Sequence, residues 1–209
     1  MAKGRAPETA AVGVAEHGNS AVLVTVAPGG ELLDRRQIDL TDRGLPTHPH
    51  HHEGSWAVGR YLNSPWARKL SLAEAVALVE RVDASAARGA RAGLEALAAA
   101  VPMPIACIAI RACPKLPPTI ETRIRDNRAQ TVADSVMYRQ ALARAAEGLG
   151  WSVHWYDRER ISVDAAVLAA MGRSIGPPWQ AIHKLAAAAA LATLGERDPS
   201  VSRHAGGKR

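Results

Sequence analysis

The chain of 209 residues has no phenylalanine, and tryptophan and tyrosine bring its aromatic content to only 4%. Its apolar residues are mostly Ala, Val and Leu, which suit helices packed closely on a sheet and argue against an aromatic-lined pocket for a small molecule. No run of about 18 apolar residues occurs, so no membrane-spanning helix is expected. The N-terminal "MAKGRAPETA" lacks the hydrophobic region of a secretory signal, and a cytoplasmic location without membrane attachment is the expectation. The only cysteines, Cys107 and Cys113, are too close in sequence to staple a fold, so no disulfide framework is implied. Glycine-rich phosphate loops of the P-loop or dinucleotide kind are missing, as is a GxSxG turn. Those absences argue against ATP-driven chemistry, a nucleotide cofactor and an elbow-type serine hydrolase.

What is present is length for one sizeable core and a surplus of positive charge. Residues 11–195 are expected to form one domain, with 1–10 and 196–209 as disordered tails, the second of them basic. The net charge is +6 and the pI about 9.8, with much of the excess in arginine. Guanidinium forks match phosphate oxygens, which suits a nucleic-acid partner, although GC-rich coding bias yields the same composition.

Two apolar runs, "AVGVAE" and "AVLVTV", flank the turn "HGNS", and "PGGE" leads into the alternating "LLDRRQIDL". Three antiparallel strands are predicted. Residues 41–70 carry several prolines and glycines and no sustained period, so a long loop is predicted there. A capping box at Ser71 and Glu74 then opens a helix reaching to Val101, striped by Leu72, Val76, Val79, Ala86, Ala90, Leu94 and Leu97. "IACIAI" reads as a strand covered on both faces, and a basic connection follows it. After that come a helix ending at Gly150, the strand "WSVHWYD", a short helix over 161–171, and a last helix from Pro177 or Pro178 to Gly195. The predicted class is α/β, a mixed sheet with helices on both faces and element order βββ-α-β-α-β-α-α.

In that order, three local patterns stand out: "AVGVAEHGNSAVLVTVAPGGELL", "IACIAIR" and "QAIHKLAAAAALA". From about Ala11 to Gly195 the chain resembles the ribonuclease H-like superfamily, and within it the RuvC-type Holliday junction resolvases. The resemblance implies metal-dependent phosphodiester hydrolysis, with two divalent cations, Mg²⁺ or Mn²⁺, about 4 Å apart on converging carboxylates. Glu16 stands where the first-strand acid would be, Arg111 where the central-strand acid would be, and Gln180 and His183 where the last-helix aspartates would be. Only Glu16 and His183 remain as catalytic and metal-ligating candidates under that resemblance. A guanidinium about 4 Å from Mg²⁺ would repel it by several kcal/mol even at an effective dielectric of about 20, so either Arg111 points away or the ordinary two-metal site is absent.

The densest basic series, Arg111, Lys115, Arg123, Arg125, Arg128 and Arg139, follows the central strand and could line a groove for a phosphate backbone. The alternative is a solvated helix face laced with Glu121 and Asp126, and Asp134 is expected to favour the early turn of its helix through the macrodipole. Trp151, Val153 and Trp155 fall on one face of their strand, which reads as core packing before it reads as a base-stacking platform. Cys113 has no partner histidine at a recognisable spacing.

The loop segment "THPHHHEG" gathers His48, His50, His51, His52 and Glu53, borderline ligands suited to Zn²⁺, Mn²⁺ or Ni²⁺, with no HExxH or CxxC spacing beside them. Three readings follow. The first is a nuclease of the resolvase type using Mg²⁺ or Mn²⁺; the second is a degenerate ribonuclease H-like module that binds nucleic acid or a protein without cutting. The third is a zinc-dependent hydrolase or sensor centred on the histidines. The sequence leaves a homodimer open.

Overall fold

In the computed structural model, residues 8–51 and 70–197 are described. They form a mixed α/β structure around a five-stranded sheet. The first hairpin pairs β1 (Ala10–His17) with β2 (Ser20–Val26), and β3 (Leu32–Asp39) adds antiparallel to β2. The hairpin closes through Gly18 and Asn19, where Gly18 takes a φ of 57° that a side chain would resist. Helix α1 (Leu72–Ala100) then leads to β4 (Ile105–Arg111), which lies parallel to β1. Next come α2 (Ile120–Arg125), α3 (Asn127–Gly148) and β5 (Ser152–Tyr156), which is parallel to β4. The chain ends in α4 (Ala165–Ile175) and α5 (Ala181–Arg197). The strand order across the sheet is β3-β2-β1-β4-β5.

Strand alternation divides the core into two layers. Val12, Val14, Leu23, Ile108 and Ile110 face α1 and α3. Ala11, Ala15, Val22, Val24, Val26 and Cys107 face α4 and α5. Residue size follows this division, because α5 lies so close to β1 that a Cβ on Gly13 would collide with the Ala186 carbonyl. The capping box at Ser71 and Glu74 is present, with Ser71 Oγ accepting from the Glu74 amide at 3.3 Å and Glu74 accepting from the Ser71 amide at 2.7 Å.

Four local expectations need correction. The basic connection contains the short helix α2, capped by Thr119 and Thr122, which its composition does not announce. Helix α3 starts at Asn127 under the Asp126 side chain, so Asp134 lies well inside it and is buried instead of serving its first turn. The short helix spans 165–175 instead of 161–171. Helix α5 begins at Ala181, past both prolines and Gln180, and continues through Gly195. No helix among the described residues is long and apolar enough to cross a membrane.

Candidate nucleic-acid interface

At the C-terminal end of β1, Glu16 continues the even-numbered series of Val12 and Val14 and so points toward α3. There Arg139 meets it. The Arg139 Nε donates to Glu16 Oε1 at 2.6 Å, its Nη2 donates to the same oxygen, and its Nη1 donates to the Ala112 carbonyl at 3.0 Å. The side chains are 6% and 8% exposed, so this is a buried ion pair with the arginine fork further tied to the backbone after β4. Around it, Tyr156 donates its hydroxyl to the Val14 carbonyl at 2.8 Å. Burial, reinforced by the Glu16 charge, pushes the Tyr156 phenol up to about 12, against the pull of Arg111, Arg139 and Arg158. Burial also raises the Cys113 thiol, with Arg139 opposing and Glu16 adding to the rise, so Cys113 is a poor nucleophile at neutral pH.

The other expected member of the pair, His183, is on the opposite face. Helix α5 packs on Ala11, Ala15 and Gly13, the odd-numbered face of β1. His183 Nδ1 accepts from the Gln180 amide at 3.1 Å, so the imidazole caps the start of α5, and the ring stacks on Trp179 with centroids 6.1 Å apart. Burial and then the nearby Arg35 lower its pKa. Arg35 itself donates to the Gly176, Pro177 and Pro178 carbonyls and pins the chain before α5. Glu16 and His183 are therefore not brought together as a shared metal centre: the sheet separates them. Gln180 lies outside the helix and acts through its backbone.

The histidine loop divides at the limit of the described residues, with His52 and Glu53 outside them. His50 is buried, and both its amide and its Nδ1 contact Asp134 Oδ1, at 3.0 and 2.8 Å. Tyr138, one turn on, donates to the Thr47 carbonyl at 2.8 Å. The Nε2 atom of the same ring is buried and has no hydrogen-bond partner among the described residues. His48 and His51 are half-buried on either side. Helix α3 thus holds the base of this loop through Asp134 and the end of β1 through Arg139, about 7.5 Å apart along its axis. Among the described residues no group of three or more His, Cys, Asp or Glu is arranged to hold a metal ion. The donor set that two divalent cations need is not assembled around Glu16, whose carboxylate already faces a guanidinium.

The basic series separates into three behaviours. Arg139 is consumed in the ion pair. Arg123 donates to the Pro117 and Pro118 carbonyls at 2.8 and 3.2 Å, holding its own loop. Lys115, Arg125 and Arg128 are exposed, and Arg111 is half-buried. Arg111 joins Cys113, Ser135, Arg139, Tyr156 and Arg158 in lining a cleft of about 480 Å³ beyond the ends of β4 and β5. Open parallel sheets characteristically bind ligands at that end. Arg158 was not singled out by the sequence reading, because "YDRER" looks like an ordinary charged turn until β5 is placed beside β4.

No family model and no curated protein matches the chain. Among the solved structures similar to it are two of RuvC. One is Thermus thermophilus RuvC in complex with a Holliday junction substrate, at 14% identity over 90% of this chain and 95% of that one, with a TM-score of 0.48. The other is a Thermus thermophilus RuvC structure, at 14% identity over 90% and 96% of the two chains, with a TM-score of 0.44. At that distance the likeness places no residue.

Proposed function

We propose that this protein is a ribonuclease H-like module, related in architecture to the RuvC-type resolvases, that binds nucleic acid without cutting it. The element order, with three antiparallel strands, a helix and then alternating strands and helices, supports the architecture. The observation that carries the functional reading is the buried Glu16–Arg139 ion pair. A carboxylate that would hold a divalent cation is instead neutralised by a fixed guanidinium, and a second cation at that oxygen would be repelled by the first. The exposed Lys115, Arg125 and Arg128, with Arg111 in the cleft, supply positive charge for phosphate contacts.

The test uses the purified full chain with branched, duplex and single-stranded substrates, with Mg²⁺ or Mn²⁺ present. Binding that weakens steeply as salt rises, with no cleavage product, is the expected result. Metal-dependent cleavage that disappears in Glu16→Ala would overturn the non-cutting reading in favour of a nuclease, and failure to bind any substrate would overturn the nucleic-acid reading.

A further inference from the structure

The cleft beyond β4 and β5 carries more positive charge than its own lining neutralises. The backbone brings its two sides together: Arg111 lies opposite Tyr156 in the parallel register, and the Ala112 amide donates to the Tyr156 carbonyl at 2.8 Å. Arg111, the last residue of β4, and Arg158, just past β5, therefore come from neighbouring strand ends and line the same cavity of about 480 Å³.

The other ionisable groups of the lining are already engaged or stay neutral. Arg139 is held by Glu16. Asp157 accepts from the Glu159 amide at 3.1 Å and pairs with Arg160 at 4.0 Å, so its carboxylate serves its own turn. Burial raises the Cys113 thiol and pushes the Tyr156 phenol up to about 12, so both keep their protons at neutral pH. No carboxylate among the described residues pairs with Arg111 or Arg158. Arg111 is half-buried, and a guanidinium withdrawn from water with no anion beside it carries a desolvation cost that a bound anion would offset.

We propose that this cleft takes the terminal phosphate of a nucleic-acid strand, a phosphomonoester held by Arg111 and Arg158. The inference rests on the nucleic-acid reading above and adds to it which part of the strand enters the cleft. Two uncompensated guanidiniums match a monoester, with about 1.5 to 2 negative charges at neutral pH, better than a singly charged diester. Access points the same way. A phosphate that reaches the half-buried Arg111 has to enter the cleft, and one at a strand end brings a single substituent with it, whereas one within the backbone has chain on both sides. The cavity of about 480 Å³ falls in the range of about 300–1,000 Å³ typical of small-ligand sites, which leaves room for the phosphate and its terminal sugar. Contacts of this kind carry no sequence information, so any terminal base is accepted.

The experiment is fluorescence anisotropy on the full chain with an internally labelled single strand that carries a phosphate on one end, on the other end, or on neither. One phosphorylated form should bind roughly tenfold more tightly than the form without, the scale of a charge-assisted bidentate contact. That gain should vanish in Arg111→Gln/Arg158→Gln and shrink in the exposed Arg158→Gln alone, whereas Arg125→Gln should weaken all three forms alike. A nucleoside monophosphate should compete the gain away, and the bare nucleoside should not. Equal binding of the three forms, or a gain that survives in Arg111→Gln/Arg158→Gln, overturns the strand-end site and leaves the nucleic-acid reading standing. Wild type that binds no strand, yet is protected from thermal unfolding by the nucleoside monophosphate through the same two arginines, overturns the nucleic-acid reading and assigns the cleft to a free nucleotide. Wild type that responds to neither ligand overturns both.

Discussion

The Glu16–Arg139 pair shows how one side chain redirects another. A carboxylate at the mouth of a parallel sheet is open to a metal, a proton or a cation, and its neighbours decide which. Here the neighbour is an arginine whose planar fork can hold a carboxylate and a backbone carbonyl together, which a lysine ammonium would do with less geometric control. Burial makes the pair asymmetric in mutation. Arg139→Ala would leave Glu16 charged and enclosed, and unfolding in urea should show a loss of about 3–5 kcal/mol. The combined Glu16→Gln/Arg139→Met protein, which removes both charges and keeps comparable volume, should recover most of that loss. If the single and double variants are equally destabilised, the pair's charge is not what holds this end of β1.

At the scale of elements, the division of faces on β1 decides the site. The even positions Val12, Val14 and Glu16 face the α1 and α3 layer, and the odd positions Ala11, Gly13 and Ala15 face α5. Gly13→Ala tests this directly. A methyl group there would meet the backbone of α5 at Ala186 and Ala190, which cannot rotate away, so thermal or urea unfolding should show a cost of at least about 1–3 kcal/mol. Tolerance of alanine would mean that α5 stands farther from β1 than described.

The same alternation marks where sequence reading succeeds and fails. The strands, the capping box and the length of α1 follow from local pattern, because period, turn residues and cap chemistry all act within a few positions. The sequence reading puts Glu16 and His183 at one centre and fails there, although small residues alternating with valines in "AAVGVA" mark one face of β1 for close helix packing and Glu16 falls on the other. The burial of His50 was not legible, since its partner Asp134 lies 84 residues away and nothing in "THPHHHEG" separates a buried histidine from a solvated one. Trp155, expected in the core with Trp151 and Val153 but 47% exposed on β5, fails for a related reason. Alternation fixes the face of a side chain, but whether a helix covers that part of the face depends on where α3 lies over β5.

For the whole molecule, a net charge of +6 says only that phosphate is welcome; the arrangement of charge says where. Arginines next to one another in sequence have unlike duties. Arg123 is tied to the Pro117 and Pro118 carbonyls, whereas Arg125, at the end of α2, and Arg128, at the start of α3, are exposed. Each exposed guanidinium that neutralises a phosphate releases counterions, and each such contact steepens the fall of log K with log salt by about 0.9 on duplex DNA and about 0.7 on a single strand. Arg125→Gln and Arg128→Gln should therefore each weaken binding at low salt and flatten the slope by roughly one contact, with little effect on unfolding. Arg123→Gln should leave the slope nearly as it is and instead loosen the loop before α2, seen as faster amide exchange around residues 119–123. A slope that falls equally for all three would mean that net charge, and not the positions the fold assigns, governs how the protein meets nucleic acid.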